Sequence, residues 1–372
     1  MNRVFILVYA IGMFSMGVAD GAPKKMSLNG RINDLADLVT QNLTENPLVK
    51  GQKLALGQFD GEGSSARNSN FGVELQRRLG ELLANFRDDN SDYTLAGNYV
   101  YAEGAGDNLG LKIVRLVVTI KQLGKVLVTI PDIEVNETDD IDRVLGLNKA
   151  KPEGELKDRN ESTQRAVEKP EFDLVGGHRV AAKGAPEFSM GILKKSSFNG
   201  KATPVVPESV KGLAFTNVGV GEYYDIEIAN NDKADAIASI TVDGLDVTTS
   251  FTSDLGPDGK KARYPGFLVL KGTTVVIKGW LHTVDQSKRD NVFSFVVNKL
   301  GQGAATQLNT RGAVGVITAQ FRESCRPNGS LSRSFGGETG KGAPLDQQFK
   351  LEPVKIGDRV LSTVSIRYNR PQ

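Results

Sequence analysis

A chain of 372 residues is longer than one small core requires and suits two domains. Its 39% apolar and 24% charged content excludes wholesale disorder, and 46 basic against 44 acidic residues leave a net charge of +2, too little field to hold nucleic acid. The 41 glycines imply many tight turns and favour a β-rich protein over a helical bundle.

The first segment reads as an export leader. Met1, Asn2 and Arg3 give a short positive start, Val4 to Val18 is largely apolar, and Gly17-Val18-Ala19 is a small-x-small site before Asp20. Cleavage is expected after Ala19, leaving residues 1–19 as signal peptide, with Ala22 as the alternative. The apolar run falls short of the roughly 20 residues a spanning helix needs, so a retained anchor is the lesser reading. The expected address is therefore the periplasm or the extracellular space, with no stable membrane span after processing. No cysteine follows the leader to carry a lipid, and the single cysteine, Cys325, excludes an intramolecular disulfide. It is buried, free or paired between chains. Sequons at Asn42-Leu43-Thr44 and Asn160-Glu161-Ser162 matter only in a eukaryotic secretory route.

Beyond the leader, Asn29 is placed to cap a helix whose Ile32, Leu35, Ala36, Val39 and Leu43 share one face, and Asn46-Pro47 ends it. Lys53 to Phe59 reads as a buried strand and Asp60 to Ala66 as a loop. Ser69 to Arg87 reads as a second helix with Phe71, Leu75, Leu79, Leu82, Leu83 and Phe86 inward. Tyr93 to Tyr101 and Leu109 to Gln122 follow as strands, the latter with Val114, Leu116, Val118 and Ile120 on one face. Leu123-Gly124 turns the chain into Val126 to Ile130. This α-β-α-β-β-β order predicts an α+β domain over residues 26–147, two helices on a small, mostly antiparallel sheet. Residues 148–169 are almost wholly polar and read as a linker, with a marginal helix over part of their length as the alternative.

Residues 170–372 carry short strands divided by Gly, Pro, Asn and Asp, the pattern of a β-sandwich. Phe172 to Leu174 and His178 to Ala182 flank Gly176-Gly177; Glu187 to Lys194 and Val210 to Phe215 come next. In Tyr223 to Trp280, Tyr224, Ile226 and Ile228 alternate with Tyr223, Asp225 and Glu227, and Asp243-Gly244 is a strong hairpin signal. Phe293, Phe295 and Val297 are expected inward together, as are Ile317, Ala319 and Phe321. A Gly/Ser-rich loop at 324–348 precedes a closing strand from Arg359 to Tyr368, with Val360, Ser362, Val364, Ile366 and Tyr368 in alternation.

The segments KLALGQF, FGVELQRRLGELL, YTLAGNYVY and LKIVRLVVTIKQLGKVLV resemble, over residues 26–147, the curli-assembly and flagellar outer-membrane lipoprotein group. They match that group's strand, helix, glycine-bearing strand and final hairpin. The chain departs from it in lacking the acylated cysteine and an amphipathic pore-forming hairpin, so transport through a pore is not implied. The second half looks like a β-sandwich module of uncharacterised exported proteins of planctomycete-type bacteria. The resembling elements are Tyr224 to Asn230, Val242 to Leu245, Val275 to Trp280, Gly315 to Phe321 and Val364 to Tyr368. That resemblance implies an architecture and no chemistry.

Candidate sites are few. Gly61-Glu62-Gly63-Ser64-Ser65-Ala66 fits a phosphate-cradling spacing, but antiparallel strands follow it and Glu62 would face the phosphates, so a plain loop is the better reading. Asp132, Glu134, Glu137, Asp139, Asp140 and Asp142 form an acidic run without calcium-loop spacing and read as a solvated surface. His178 and His282 are too few for a metal site on their own, Cys325 lacks a helix N-terminus to activate it, and no G-x-S-x-G is present. Trp280 with Tyr223, Tyr224 and Tyr264 could form a sugar-stacking platform, though a lone tryptophan more often packs in the core. The reading that results is an exported, non-enzymatic envelope protein, an adaptor or binding module engaging a protein or cell-surface partner, without catalytic residue, metal or cofactor. Its alternatives are a carbohydrate-binding module using Trp280, Tyr264 and His282, and a secreted enzyme of unknown class.

Overall fold

The computed structural model describes residues 5–9, 28–61, 71–103, 112–136, 142–143, 146–150, 162–163, 165–166, 169–256, 263–264, 266–285, 291–299, 302–304, 308, 315–325 and 349–368. Strands far outweigh helices, giving a largely β fold. In chain order, the first half carries β1 (Phe5–Tyr9), α1 (Leu28–Glu45), β2 (Ala55–Gly61), α2 (Phe71–Leu82), β3 (Tyr93–Glu103), β4 (Lys112–Gln122), β5 (Lys125–Val135) and β6 (Lys149–Ala150). Then come β7 (Phe172–Val175), β8 (Arg179–Ala182), β9 (Ala185–Lys195), β10 (Thr203–Val205), β11 (Glu208–Val210), β12 (Leu213–Thr216), β13 (Tyr223–Asn230) and β14 (Ala236–Val242). The last are β15 (Leu245–Asp246), β16 (Gly266–Val269), β17 (Thr273–Ile277), β18 (Gly279–Leu281), β19 (Val292–Val296), β20 (Val316–Cys325), β21 (Phe349–Pro353) and β22 (Lys355–Tyr368).

Strands β2, β3, β4 and β5 form one sheet in that order, with β2 parallel to β3 and the other pairs antiparallel. Helices α1 and α2 share its apolar core: Ile32, Leu35, Ala36, Val39 and Leu43 of α1 meet Leu75 and Leu79 of α2 and Val114, Leu116, Val118 and Ile120 of β4. The spacing of those α1 residues puts them on one stripe, which is why the sequence reveals this helix. It begins at Leu28, so Asn29 lies inside the helix instead of capping it. In α2 the stripe is narrower than the sequence suggests; Leu82 is exposed because Leu83, beyond the helix, completes the inward i, i+4 row with Leu75 and Leu79.

The two larger sheets share a second core. One runs β11-β12-β22-β20-β14-β16-β1-β21, with β15 on β14 and β6 on β22; the other runs β18-β19-β13-β9-β8-β7, with β10 on β9 and β17 on β13. Tyr224, Ile226 and Ile228 of β13 face Ile317, Ala319 and Phe321 of β20 across this core. Phe188 and Phe321 touch with ring centroids 5.0 Å apart. Strand β22 keeps Val364, Ile366 and Tyr368 in the core, but its pairing with β20 slips between Phe321 and Arg322. That bulge reverses the phase, so Leu361 instead of Val360 reaches the core.

Among the described residues, three hairpins turn on a non-glycine residue with positive φ followed by glycine: Leu123-Gly124, Lys211-Gly212 and Asp243-Gly244. Two successive positive φ values match the right-handed twist of the flanking strands. The polar connector is anchored at its start, where β6 pairs with Ser362 and Thr363 of β22. There Lys149 lies buried 2.8 Å from Asp142 and donates to the Thr163 hydroxyl at 2.6 Å. Phe5–Tyr9, within the leader-like stretch, lies as β1 between β16 and β21. Among the described residues no helix is long and apolar enough to cross a membrane.

Candidate functional site

The three residues singled out by the sequence lie in different settings. Trp280 of β18 is 8% exposed and Tyr264 2%. The Trp280 ring meets Phe295 edge-on at 5.4 Å and Phe251 at 5.2 Å. Both residues belong to the second core, so neither offers a ring face to a ligand. Burial raises the Tyr264 hydroxyl above its ordinary value, and the Arg263 guanidinium lies 5.7 Å from the ring centre.

His282, just beyond β18, is half-buried. Its Nδ1 is 3.2 Å from the Phe251 carbonyl. A carbonyl only accepts, so Nδ1 carries the hydrogen of this bond. The imidazole rests on Phe293, with ring centroids 4.8 Å apart. Phe293 is the exposed aromatic of this end. Alternation sets it inward with Phe295 and Val297, and those two are buried, whereas Phe293 is 43% exposed. It is paired across the ladder with Trp280 and keeps the core-side face, but it sits at the margin, where its ring neighbours are His282 and Phe251.

The adjoining loop is held by Asp254, whose carboxylate accepts from the Thr283 hydroxyl at 3.1 Å and the Val284 amide at 2.7 Å. The His282 carbonyl takes the Ser253 amide at 2.7 Å and the Ser253 hydroxyl at 3.1 Å. These bonds fix both segments beside the exposed ring.

His178 is held elsewhere, Nε2 2.7 Å from Glu227 and Nδ1 3.1 Å from the Gly176 carbonyl. The two histidines therefore have separate partners. Asp225, on the same strand as Glu227, is buried against Lys195, and burial raises its carboxyl above the usual value. Cys325 ends β20, its backbone paired with Lys355, instead of lying in the following loop; residues 326–348 lie outside the described residues.

The acidic run is not one feature. Asp132 and Glu134 belong to β5, which runs past Ile130, and stand 3.9 and 3.4 Å from Arg115, while Asp142 pairs with Lys149. Glu137, Asp139 and Asp140 lie outside the described residues, as does the glycine-rich segment after Gly61. Among the described residues no group of three His, Cys, Asp or Glu could hold a metal ion.

The sequence had no means of marking Asp243 as more than a turn residue. Its Oδ1 accepts the Gly315 amide at 2.6 Å and the Val316 amide at 3.3 Å, and the Tyr368 hydroxyl donates to Oδ2. Burial raises the Asp243 carboxyl and drives the Tyr224 and Tyr368 hydroxyls well above their ordinary values. This is a structural joint between the β14–β15 turn and the last strand. Comparison with known families, curated proteins and solved structures gave no match.

Proposed function

We propose that this is an exported, non-enzymatic binding protein of the cell envelope. In this reading an α+β unit is connected through the polar stretch 148–169 to a β-sandwich that engages a protein partner. The observation that carries it is Phe293: a large ring 43% exposed, yet held by His282 and Phe251. An aromatic fixed before contact loses little entropy on binding and is the kind of residue that anchors protein interfaces.

A carbohydrate partner is the second reading, favoured by the polar His282 imidazole beside the Phe293 ring. Phenylalanine brings no hydrogen-bonding group of its own, which weighs toward protein. Crosslinking in native envelope followed by mass spectrometry tests the choice. A discrete protein captured by the wild type and lost in Phe293→Ala supports the proposal; polysaccharide pull-down lost in the same variant moves it to carbohydrate. A robust hydrolytic activity abolished by His282→Ala or Cys325→Ala would sink it.

A further inference from the structure

Lys195, the last residue of β9, and Asp225 of the neighbouring antiparallel strand β13 form a buried ion pair with Nζ 2.5 Å from Oδ1. The register sets Tyr223 opposite Lys195 and Leu193 opposite Asp225, so the two side chains are diagonal neighbours on one face of the sheet, a span that a long lysine stem covers. That face is the one turned away from the Tyr224 and Ile226 core, yet the lysine and aspartate side chains are only 5% and 6% exposed. Leu193 is itself buried, and Phe198 meets the Tyr223 ring edge-on, so apolar groups flank the pair.

A buried ion pair is a weak arrangement unless further hydrogen bonds complete it. Thr163 does this for Lys149 and Asp142, accepting from the first and donating to the second. Among the described residues, Lys195 and Asp225 make no second side-chain hydrogen bond. Burial raises the Asp225 carboxyl in spite of the pull of Lys195, which favours the uncharged acid.

We propose that the Lys195 and Asp225 side chains condense into an intramolecular amide that staples β9 to β13. A proton passes from Nζ to the carboxylate, leaving an amine against a carboxylic acid. The nitrogen lone pair then forms a bond to Cγ as the C=O electrons move onto oxygen, and the Lys278 charge, which acts on the same carboxyl, favours that oxyanion. The nitrogen, left with two hydrogens and a positive charge, passes one to the hydroxyl. The C–O bond breaks, water leaves and the C=O re-forms. Nothing is oxidised or reduced, and no co-reactant is consumed. Holding the two groups in contact supplies a high effective concentration, and exclusion of water favours the condensed product. The change removes two buried charges and closes a covalent loop over residues 195–225, in a chain whose single cysteine cannot form an internal disulfide.

The test unfolds and digests the purified, folded full chain and weighs its peptides by mass spectrometry. The wild type is expected to give one branched peptide joining the Lys195 and Asp225 segments, lighter than their sum by one water. In a denaturing gel its closed loop should make it run ahead of the unlinked variants. Lys195→Arg keeps a cation beside the carboxylate without an amine to condense, so it should give two separate peptides, as should Asp225→Ala. Recovery of both wild-type peptides unlinked at their sequence masses overturns the proposal, and so does a branched peptide that persists in Lys195→Arg. An ion pair alone leaves every peptide at its sequence mass, and the wild-type result stands whether or not either variant folds.

Discussion

The Tyr368 hydroxyl donates to the Asp243 carboxylate across 125 residues of chain, tying the last strand to the turn between β14 and β15. The carboxylate also accepts the Gly315 and Val316 amides, so one buried side chain fixes three segments. Tyr368→Phe leaves a buried acceptor without its donor and is expected to cost about 1–3 kcal/mol. Urea unfolding measures this, and a loss near zero would show that the joint contributes nothing.

The same carboxyl sets a pH dependence. Burial raises it from 3.8, outweighing the Tyr368, Gly315 and Val316 hydrogen bonds that pull it down. A raised carboxyl keeps its proton in the folded protein where the unfolded chain has released it. Its contribution is therefore most favourable at acid pH and declines as pH rises from the unfolded value through the higher folded value. Asp243→Asn removes this dependence and retains a side chain that tolerates positive φ. Relative to the variant, the wild type should lose stability in urea titrations as pH rises above the unfolded carboxyl value of about 4. Parallel curves would contradict the assignment.

Leu123 has φ 48° and is 81% exposed at the tip of the β4–β5 hairpin. A leucine in the left-handed region carries backbone strain, and its exposure brings no burial to offset it. Leu123→Asn should raise stability by about 1 kcal/mol, seen as a higher thermal midpoint. An unchanged or lower midpoint would show that the leucine side chain has a contact of its own.

Two glycines with similar φ separate strain from space. Gly184 (φ 73°) has open room for a Cβ, whereas a Cβ on Gly212 (φ 78°) would stand 1.7 Å from the Pro170 carbonyl oxygen. Alanine at Gly184 should cost about 1 kcal/mol, the left-handed penalty alone. At Gly212 the main chain must also move, so the loss in urea midpoint should be clearly larger. Equal losses would mean that Pro170 yields freely.

What the sequence disclosed followed local periodicity. The α1 stripe from Ile32 to Leu43, the inward Tyr224, Ile226 and Ile228, and the Asp243-Gly244 hairpin are all readable because each depends on residues a few positions apart. The features it concealed depend on distant partners. Val360 and Leu361 exchange places because of a bulge defined by β20. Lys149 and Asp142 look like surface charges until they are buried together. Phe293 obeys the alternation of its strand and still emerges, because its position at the core margin is a property of Trp280, His282 and Phe251 around it. Trp280, conspicuous in sequence as the single tryptophan, is the packed member of that group and Phe293 the presented one.

That distinction sets the most direct measurement. Trp280→Ala should destabilise the protein by about 3–5 kcal/mol, as large buried aromatics do, while Phe293→Ala should cost under about 1 kcal/mol. Crosslinked capture from native envelope, quantified for the wild type and Phe293→Ala at matched folded concentration, then isolates binding from stability. A discrete protein partner is expected, with a yield that falls at least about tenfold in the variant, the size of a modest interface hot spot. Equal yield from both proteins, or no partner with either, would contradict it.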